Sequence, residues 1–216
     1  PEPMLRPYKT VLPTVHPSAF VDDSAQVIGD VQIGSDSSVW MNVGIRGDVN
    51  AIRIGERSNI QDLTLVHVMF KTNPTVIGND VTVGHSAVIH GCTIEDRCLI
   101  GMGAILLNGC VIGTGSIVAA GALVPEGMIV PPGSMVMGMP AKVKRPLTPE
   151  EGASIQAYAD RYVTYRLDFQ SEHTSASARS RAPNPHAACV ISSRRTFATA
   201  NTSWPSCAAS TSATAS

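Results

Sequence analysis

Side chains that can bind a metal ion and handle protons concentrate between Arg46 and His90. Three of the chain's six histidines lie there, and they are His67, His85 and His90. Beside them stand an arginine, two aspartates and a glutamine: Arg46, Asp48, Asp62 and Gln61. Imidazole is the usual ligand for Zn²⁺, and three protein ligands with an open fourth position are typical of a catalytic site. A lone histidine is more often an ordinary surface residue, whereas this combination favours a metal centre.

The elements that position these residues follow a six-residue period. Aliphatic residues recur at this step in four runs: Val27, Ile33, Val39, Ile45; Ile54, Ile60, Val66; Ile77, Val83, Ile89; and Ile94, Ile100, Leu106, Ile112, Val118, Val124, Val130, Val136. A helix repeats every 3.6 residues and a strand every two, so neither explains this step. The period is typical of a parallel β-helix built from hexapeptides. The fold class is therefore an all-β solenoid.

Three hexapeptides close one turn of about 18 residues, and successive turns stack at the strand spacing of about 4.8 Å. His67 and His85 are 18 residues apart and His85 and His90 are five apart. These intervals predict that all three rings lie at one level of the solenoid, within one or two turns. The step lengthens to nine residues between Ile45 and Ile54 and to eleven between Val66 and Ile77. Such insertions emerge as surface loops, often at the functional face.

The chain divides into three predicted segments. Residues 1–147 form the β-helix domain. Thr148-Pro149-Glu150-Glu151 is a capping box that predicts a helix over 148–170, packed along exposed strand edges. The inward face of that helix is predicted to comprise Ile155, Tyr158, Ala159, Tyr162 and either Tyr165 or Arg166. Of the 46 residues from 171 to 216, 28 are Ser, Thr or Ala, which predicts a disordered tail.

Composition argues against several classes of function. A formal net charge of −1 gives no electrostatic case for binding nucleic acid or an anionic membrane. No segment reaches the roughly 18 apolar residues of a membrane span. The N-terminus shows neither an apolar nor an Arg/Ser-rich leader, which predicts a cytoplasmic protein. The odd count of five cysteines, with no visible signal peptide, favours reduced thiols, and Cys92, Cys98 and Cys110 occupy inward positions suited to small core residues.

Several motifs in order resemble the γ-class carbonic anhydrase family over roughly residues 10–168. They are Arg46-Gly47-Asp48, Asn59-Ile60-Gln61-Asp62, His67, Gly84-His85, His90-Gly91-Cys92, Leu99-Ile100-Gly101-Met102-Gly103-Ala104, Ala120-Gly121-Ala122 and Gly138-Met139-Pro140-Ala141-Lys142-Val143. The resemblance implies a left-handed β-helix that assembles as a homotrimer. It further implies a metal between subunits, held by His67 and His90 of one subunit and His85 of its neighbour. The ion would be Zn²⁺, with Fe²⁺ or Co²⁺ as alternatives.

The family reaction is the reversible hydration of CO2 to bicarbonate by a metal-bound hydroxide. By resemblance, Gln61 hydrogen-bonds that hydroxide or the product, and Asn59 belongs to the same motif. Arg46 and Asp48 resemble an intersubunit ion pair, with Asp62 nearby. Tyr162 resembles a helix tyrosine that reaches the site, with packing on the helix face as the alternative.

The chain departs from the family in its acidic groups. Well-known active members carry glutamates near the site that shuttle protons, whereas here Val49 follows Asp48 and the loop 67–74 contains no acid. Because fast hydration requires a group that removes the proton from the metal-bound water, this departure predicts slow or absent turnover. Two alternatives remain open. One is a metal-binding trimer with a structural or assembly role, and the other is a hexapeptide acyltransferase or thioesterase.

Overall fold

The computed structural model describes the backbone of residues 4–181 and the side chains of residues 4–172. The chain coils into a parallel β-solenoid of about seven turns with three faces, followed by one helix. The first face is a continuous sheet of seven parallel strands. In chain order they are β3 (Phe20–Val21), β5 (Ser38–Val39), β7 (Asn59–Ile60), β10 (Thr82–Val83), β13 (Leu99–Ile100), β16 (Ile117–Val118) and β19 (Ser134–Gly138).

Two long strands, β4 (Gln26–Ile33) and β6 (Gly44–Ile54), bend from the second face onto the third. The second face continues with β8 (Leu65–His67), β11 (Val88–His90), β14 (Ile105–Leu106) and β17 (Leu123–Val124). The third face contains β2 (Thr14–Val15), β9 (Thr75–Ile77), β12 (Thr93–Ile94), β15 (Val111–Ile112) and β18 (Ile129–Val130). At the two ends of the solenoid, β1 (Met4–Arg6) pairs with β4, and β20 (Ala141–Pro146) pairs antiparallel with β19.

The hexad prediction is confirmed by the core. Every aliphatic residue of the four runs is at most 4% exposed. The small inward residues behave as predicted, because Cys92, Cys98 and Cys110 are 2%, 0% and 0% exposed. Burial raises the pKa of the Cys98 thiol to about 11, as expected for a thiol in an apolar core.

The two predicted insertions emerge at one edge of the solenoid. In β6 the pairing with β4 shifts after Gly47, so that Asp48–Ala51 bulge outward opposite Asp30. The longer insertion forms the loop between β8 and β9. A third irregularity, the five-residue step from Ile89 to Ile94, is accommodated at Gly91, whose φ is +56°. Glycine adopts this left-handed conformation without steric cost.

The helix α1 (Pro149–Arg181) begins where the capping box predicts. Thr148 Oγ1 accepts from the backbone N–H of Glu151, and the Glu151 carboxylate accepts from the N–H of Thr148. The helix continues eleven residues beyond the predicted end at Gln170. Nothing breaks it earlier, because the next proline is Pro183. The rest of the predicted tail, residues 182–216, lies outside the described residues.

The helix packs on the first face of the solenoid. Ile155 and Ala159 are 1% and 0% exposed, as expected for the inward face of the helix. Tyr158 is 41% exposed, so its predicted place on that face is wrong. Of the two candidates for the last inward position, Arg166 is buried and Tyr165 is exposed. Arg166 donates to Asp36 Oδ1 at 2.8 Å, so an ion pair anchors this end of the helix. Among the described residues, no helix is long and apolar enough to cross a membrane.

Candidate metal centre

The structure brings His67 and His90 together at the ends of β8 and β11. The two residues are register partners in adjacent turns, and their ring centroids are 5.0 Å apart. His67 Nδ1 lies 3.1 Å from His90 Nε2. Arg46 and Asp48 lie at the same edge, so we call these four residues the paired-histidine cluster.

Asp48 orients the His67 ring from the other side. His67 Nε2 lies 3.0 Å from Asp48 Oδ1, and Arg46 forms an ion pair with the second carboxylate oxygen. Burial alone would raise the pKa of Asp48, but the hydrogen bonds and charges of His67 and Arg46 outweigh it and lower the pKa. Asp48 is therefore held ionised, as a hydrogen-bond acceptor for His67 Nε2–H requires.

The paired histidines fit a divalent metal. Each ring has one nitrogen occupied by an oxygen acceptor, and the remaining nitrogens, His67 Nδ1 and His90 Nε2, face each other at 3.1 Å. Two imidazole nitrogens at about 2.0–2.1 Å from one tetrahedral ion would be about 3.3 Å apart. The observed separation is close to that value, so these two rings can supply two ligands with little movement.

His85 lies in a second cluster, at the turn between β10 and β11. Its Nδ1 lies 2.9 Å from Asp62 Oδ2, and its side chain is 45% exposed. The acceptor on Nδ1 leaves Nε2 directed away from Asp62. Gln61 and Asn59 lie beside it, and with Asp62 and His85 we call them the single-histidine cluster.

Gln61 is only 5% exposed and its side chain is held in place. Its Nε2 donates to Asn59 Oδ1 at 3.1 Å, and Asn59 Nδ2 donates to Thr82 Oγ1 at 2.9 Å. Asn59 Nδ2 also donates to the carbonyl oxygen of Val81 at 3.5 Å, and a carbonyl can only accept, so the orientation of both amides is assigned and the oxygen of Gln61 remains available as an acceptor. A buried, oriented amide of this kind can hydrogen-bond a small polar ligand.

Tyr162 joins the single-histidine cluster from the helix. Its ring packs edge-on against Trp40 with centroids 5.5 Å apart, which accounts for the packing role that the sequence also suggested. Burial raises the pKa of Tyr162, and the negative charge of Asp62 raises it further. Tyr162 therefore keeps its phenolic proton at neutral pH and can donate a hydrogen bond near Asp62.

The three histidines lie in two adjacent turns of the solenoid but not at one edge of the second face. The partner of His67 in the next turn is His90, 23 residues later, because the loop between β8 and β9 adds five residues that no strand contains. His85 consequently lies across β11 from the other two. Within the part of the chain that the structure describes, no three His, Cys, Asp or Glu side chains come together as a metal-binding group.

Sequence reasoning missed Asn108, which contacts the paired-histidine cluster, and Glu126, which contacts Asn108. His90 Nδ1 lies 2.7 Å from Asn108 Oδ1, and Asn108 Nδ2 donates to Glu126 Oε1 at 2.9 Å. A signal for them exists, because His90, Asn108 and Glu126 are spaced by 18 residues, one full turn. Such polar residues at surface turns otherwise look ordinary.

Comparisons with known proteins agree with the solenoid and with the family resemblance. The model of the bacterial transferase hexapeptide family (six repeats) matches residues 74–108 and 91–126. A mitochondrial γ-carbonic anhydrase 2 of Arabidopsis thaliana is 50% identical over 170 residues, which cover 76% of this chain and 61% of the relative. A carbonic anhydrase of Geobacillus kaustophilus is 41% identical over 183 residues, which cover 83% of this chain and all of the relative.

A solved structure extends the comparison to three dimensions. A Bacillus cereus protein described as a candidate acetyltransferase is 41% identical and superposes with a TM-score of 0.76, covering 78% of this chain and 97% of the other. The solenoid is accordingly the left-handed β-helix of the hexapeptide proteins. Identity of 41% over the whole length of the Geobacillus carbonic anhydrase, together with 50% identity to the Arabidopsis γ-carbonic anhydrase 2, shows that the chain belongs to the γ-class carbonic anhydrase family of hexapeptide-repeat proteins.

Proposed function

We propose that the protein is a metal-dependent carbonic anhydrase that acts as a homotrimer and hydrates CO2 reversibly to bicarbonate. The metal is held by His67 and His90 of one subunit and by His85 of the next. Zinc is the proposed ion, with Fe²⁺ or Co²⁺ as alternatives, because imidazole suits all three. The observation that carries the proposal is the convergence of His67 Nδ1 and His90 Nε2 at 3.1 Å, with each ring's other nitrogen already occupied.

The separation of the two clusters supports assembly. His85 precedes β11 and His90 ends it, so one chain presents two ligands at one edge of the second face and one ligand at the other edge. A catalytic metal site takes three protein ligands. A symmetric ring that apposes these two edges completes three identical sites, because each edge is used once by every subunit.

The outer surface of the second face supports the same assembly. Four register partners point outward between the two clusters, and we call them the apolar ladder: Leu65, Val88, Ile105 and Leu123. Leu65 is 56% exposed, and the other three are partly exposed. A continuous apolar surface rimmed by polar residues is typical of a protein interface. Subunit contact along this ladder would bring the paired-histidine cluster of one chain towards the single-histidine cluster of another.

The bound metal would lower the pKa of its water from 15.7 to about 7 and so supply hydroxide at neutral pH. The chain's own residues then do the positioning. Asp48 fixes His67, and Asp62 fixes His85 by accepting from its Nδ1. Gln61, anchored by Asn59, presents its amide oxygen to the site, and Tyr162 keeps a phenolic proton that it can donate from the helix side. These groups orient the substrate and product oxygens.

The nearby loop determines how fast the proton leaves. The side chains of loop 68–74 are Val68, Met69, Phe70, Lys71, Thr72, Asn73 and Pro74, and none accepts a proton as a carboxylate does. We infer that proton transfer to external buffer limits turnover. Hydration by the metal-loaded trimer should therefore accelerate as buffer concentration rises.

Stopped-flow CO2 hydration tests the proposal directly. The protein is reconstituted separately with Zn²⁺, Co²⁺ and Fe²⁺, and its mass in solution and metal content are measured on the same samples. The expected result is a trimer with one metal per chain and buffer-dependent hydration with at least one ion. A monomer that binds one metal per chain would refute the shared site, and a metal-loaded trimer without hydration would leave a structural role.

A further inference from the structure

A hydrogen-bonded row of side chains extends from the paired histidines along the edge of the solenoid. It passes from His90 Nδ1 to Asn108 Oδ1 at 2.7 Å, and from Asn108 Nδ2 to Glu126 Oε1 at 2.9 Å. Each step equals one 18-residue turn, so the three side chains stack at the same position of consecutive turns. The row begins at a proposed ligand and ends at an exposed carboxylate.

The row fixes which nitrogen of His90 carries its proton. The Glu126 carboxylate is only an acceptor, so it must face the NH2 group of Asn108. The amide oxygen of Asn108 therefore faces His90 and can only accept a hydrogen bond. The proton then belongs on His90 Nδ1, which leaves the lone pair of Nε2 directed at His67.

The backbone beneath the row is shaped to admit the Asn108 amide. A Cβ atom built on Gly91 would lie 2.5 Å from Asn108 Oδ1, closer than any real contact allows. Gly91 also has a φ of +56°, and it is the residue at which the hexad shortens to five. The amide oxygen consequently sits against a backbone position where a side chain would displace it.

We propose that Asn108 and Glu126 are positioning residues that hold His90 in the Nδ1–H tautomer and aim its Nε2 at the metal. The inference rests on the proposed function in so far as His90 is a ligand. A carboxylate then stands behind each histidine: Asp48 contacts His67 directly, and Glu126 acts on His90 through Asn108. The two ligand rings are thus anchored from opposite directions along the solenoid axis.

Zinc affinity measured by competition with a chromophoric chelator tests the role of the row. Asn108→Ala should weaken binding by about 10- to 100-fold, the usual effect of losing a partner of a ligand imidazole. Glu126→Gln removes only the charge at the end of the row and should weaken binding by about tenfold or less. Asn108→Asp should weaken binding because its carboxylate faces Glu126. The double variant Asn108→Asp/Glu126→Gln should recover most of the affinity, since the aspartate then accepts from both His90 and Gln.

A matched control is Glu95→Gln. Glu95 also accepts hydrogen bonds from the next turn, from the backbone N–H and Oγ1 of Thr114, but at a different edge of the solenoid. This change should leave zinc affinity unaltered. Thermal melting of every variant separates loss of affinity from loss of folding. Glu126→Gln and the double variant keep the test decisive even where Asn108→Ala does not fold.

The tautomer is measured without metal, by long-range ¹H–¹⁵N correlation of the histidine rings under mildly alkaline conditions. His90 should carry its proton on Nδ1 in the wild-type protein and in the double variant, and should lose this preference in Asn108→Ala. A wild-type His90 protonated on Nε2, or an Asn108→Ala protein with unchanged zinc affinity, overturns the proposal. If the tautomer is as stated but the wild type binds no zinc, the proposed function fails while the assignment of the row stands.

Discussion

Removing one side chain from the apolar ladder should weaken the proposed trimer without harming the fold of its subunits. Leu65 is 56% exposed in the single chain, so that share of its side chain is still available for burial at an interface. Leu65→Ala deletes three carbon groups worth about 0.8 kcal/mol each when fully buried. Scaled by the exposed share, the loss is about 1.3 kcal/mol per subunit, or about 4 kcal/mol for three subunits.

That loss can be converted into a measurable concentration. A change of 1.4 kcal/mol is tenfold in an equilibrium constant, so the dissociation constant of the trimer should rise about 1000-fold. Because three monomers form one trimer, the concentration at half-dissociation varies as the square root of that constant and should rise about 30-fold. Sedimentation equilibrium over a dilution series measures this midpoint, and zinc content should fall in parallel as subunits separate.

Leu167→Ala provides the control. Leu167 is 54% exposed on the outer surface of the helix, so the two substitutions remove the same group from nearly equal exposure. Only the change in the ladder should shift the midpoint. A Leu65→Ala protein that dissociates at the wild-type concentration, or a Leu167→Ala protein that dissociates earlier, would refute the placement of the interface on the second face.

Three further outcomes are expected. Gln61→Ala should keep its metal and lose about 10- to 100-fold of its hydration activity, whereas His90→Ala should lose the metal. Metal analysis and stopped-flow assays of both variants measure these effects. A metal-free Gln61→Ala protein would contradict the role of the amide. Ile100→Ala, at a position that is 0% exposed, should lower the free energy of unfolding by about 2–5 kcal/mol in urea titrations, and an unchanged midpoint would contradict the packed core. The hydrogen bonds from Arg145 and from the backbone N–H of Thr148 lower the pKa of Glu151 from 4.5 to about 2. The ionised Glu151 carboxylate therefore stabilises the fold fully above about pH 4.5, and this stabilisation is lost as pH falls towards 2. The difference in melting temperature between wild type and Glu151→Gln should shrink to zero over that range.

The core of the solenoid could be predicted because one physical constraint acts at every turn. An aliphatic side chain must point inward every six residues, and between Ile94 and Val136 every sixth residue is aliphatic and buried. The same regularity explains why buried Cys98 and Cys110 could be assigned as core residues. Counting residues was sufficient wherever the chain stayed within the repeat.

The site could be predicted only in part, because strands pair between adjacent turns whatever the number of residues in the loops that join them. Residues added in a loop leave the pairing unchanged, so His67 meets His90 and not His85. The partners Asn108 and Glu126 were missed for a related reason. Their meaning comes from stacking above His90, and a polar residue at a turn gives no sign of that without the register.

Residues in the loop between β8 and β9 can be changed independently of the paired strands and of the histidines that those strands position. The ends of the loop are secured, since Met69 N–H donates to Asn73 O at 2.9 Å and β9 re-enters the sheet at Thr75. Residues can therefore be exchanged or inserted at Phe70–Thr72 without moving a strand. An acidic side chain grafted there would add a proton acceptor beside the paired histidines while their spacing stays as it is.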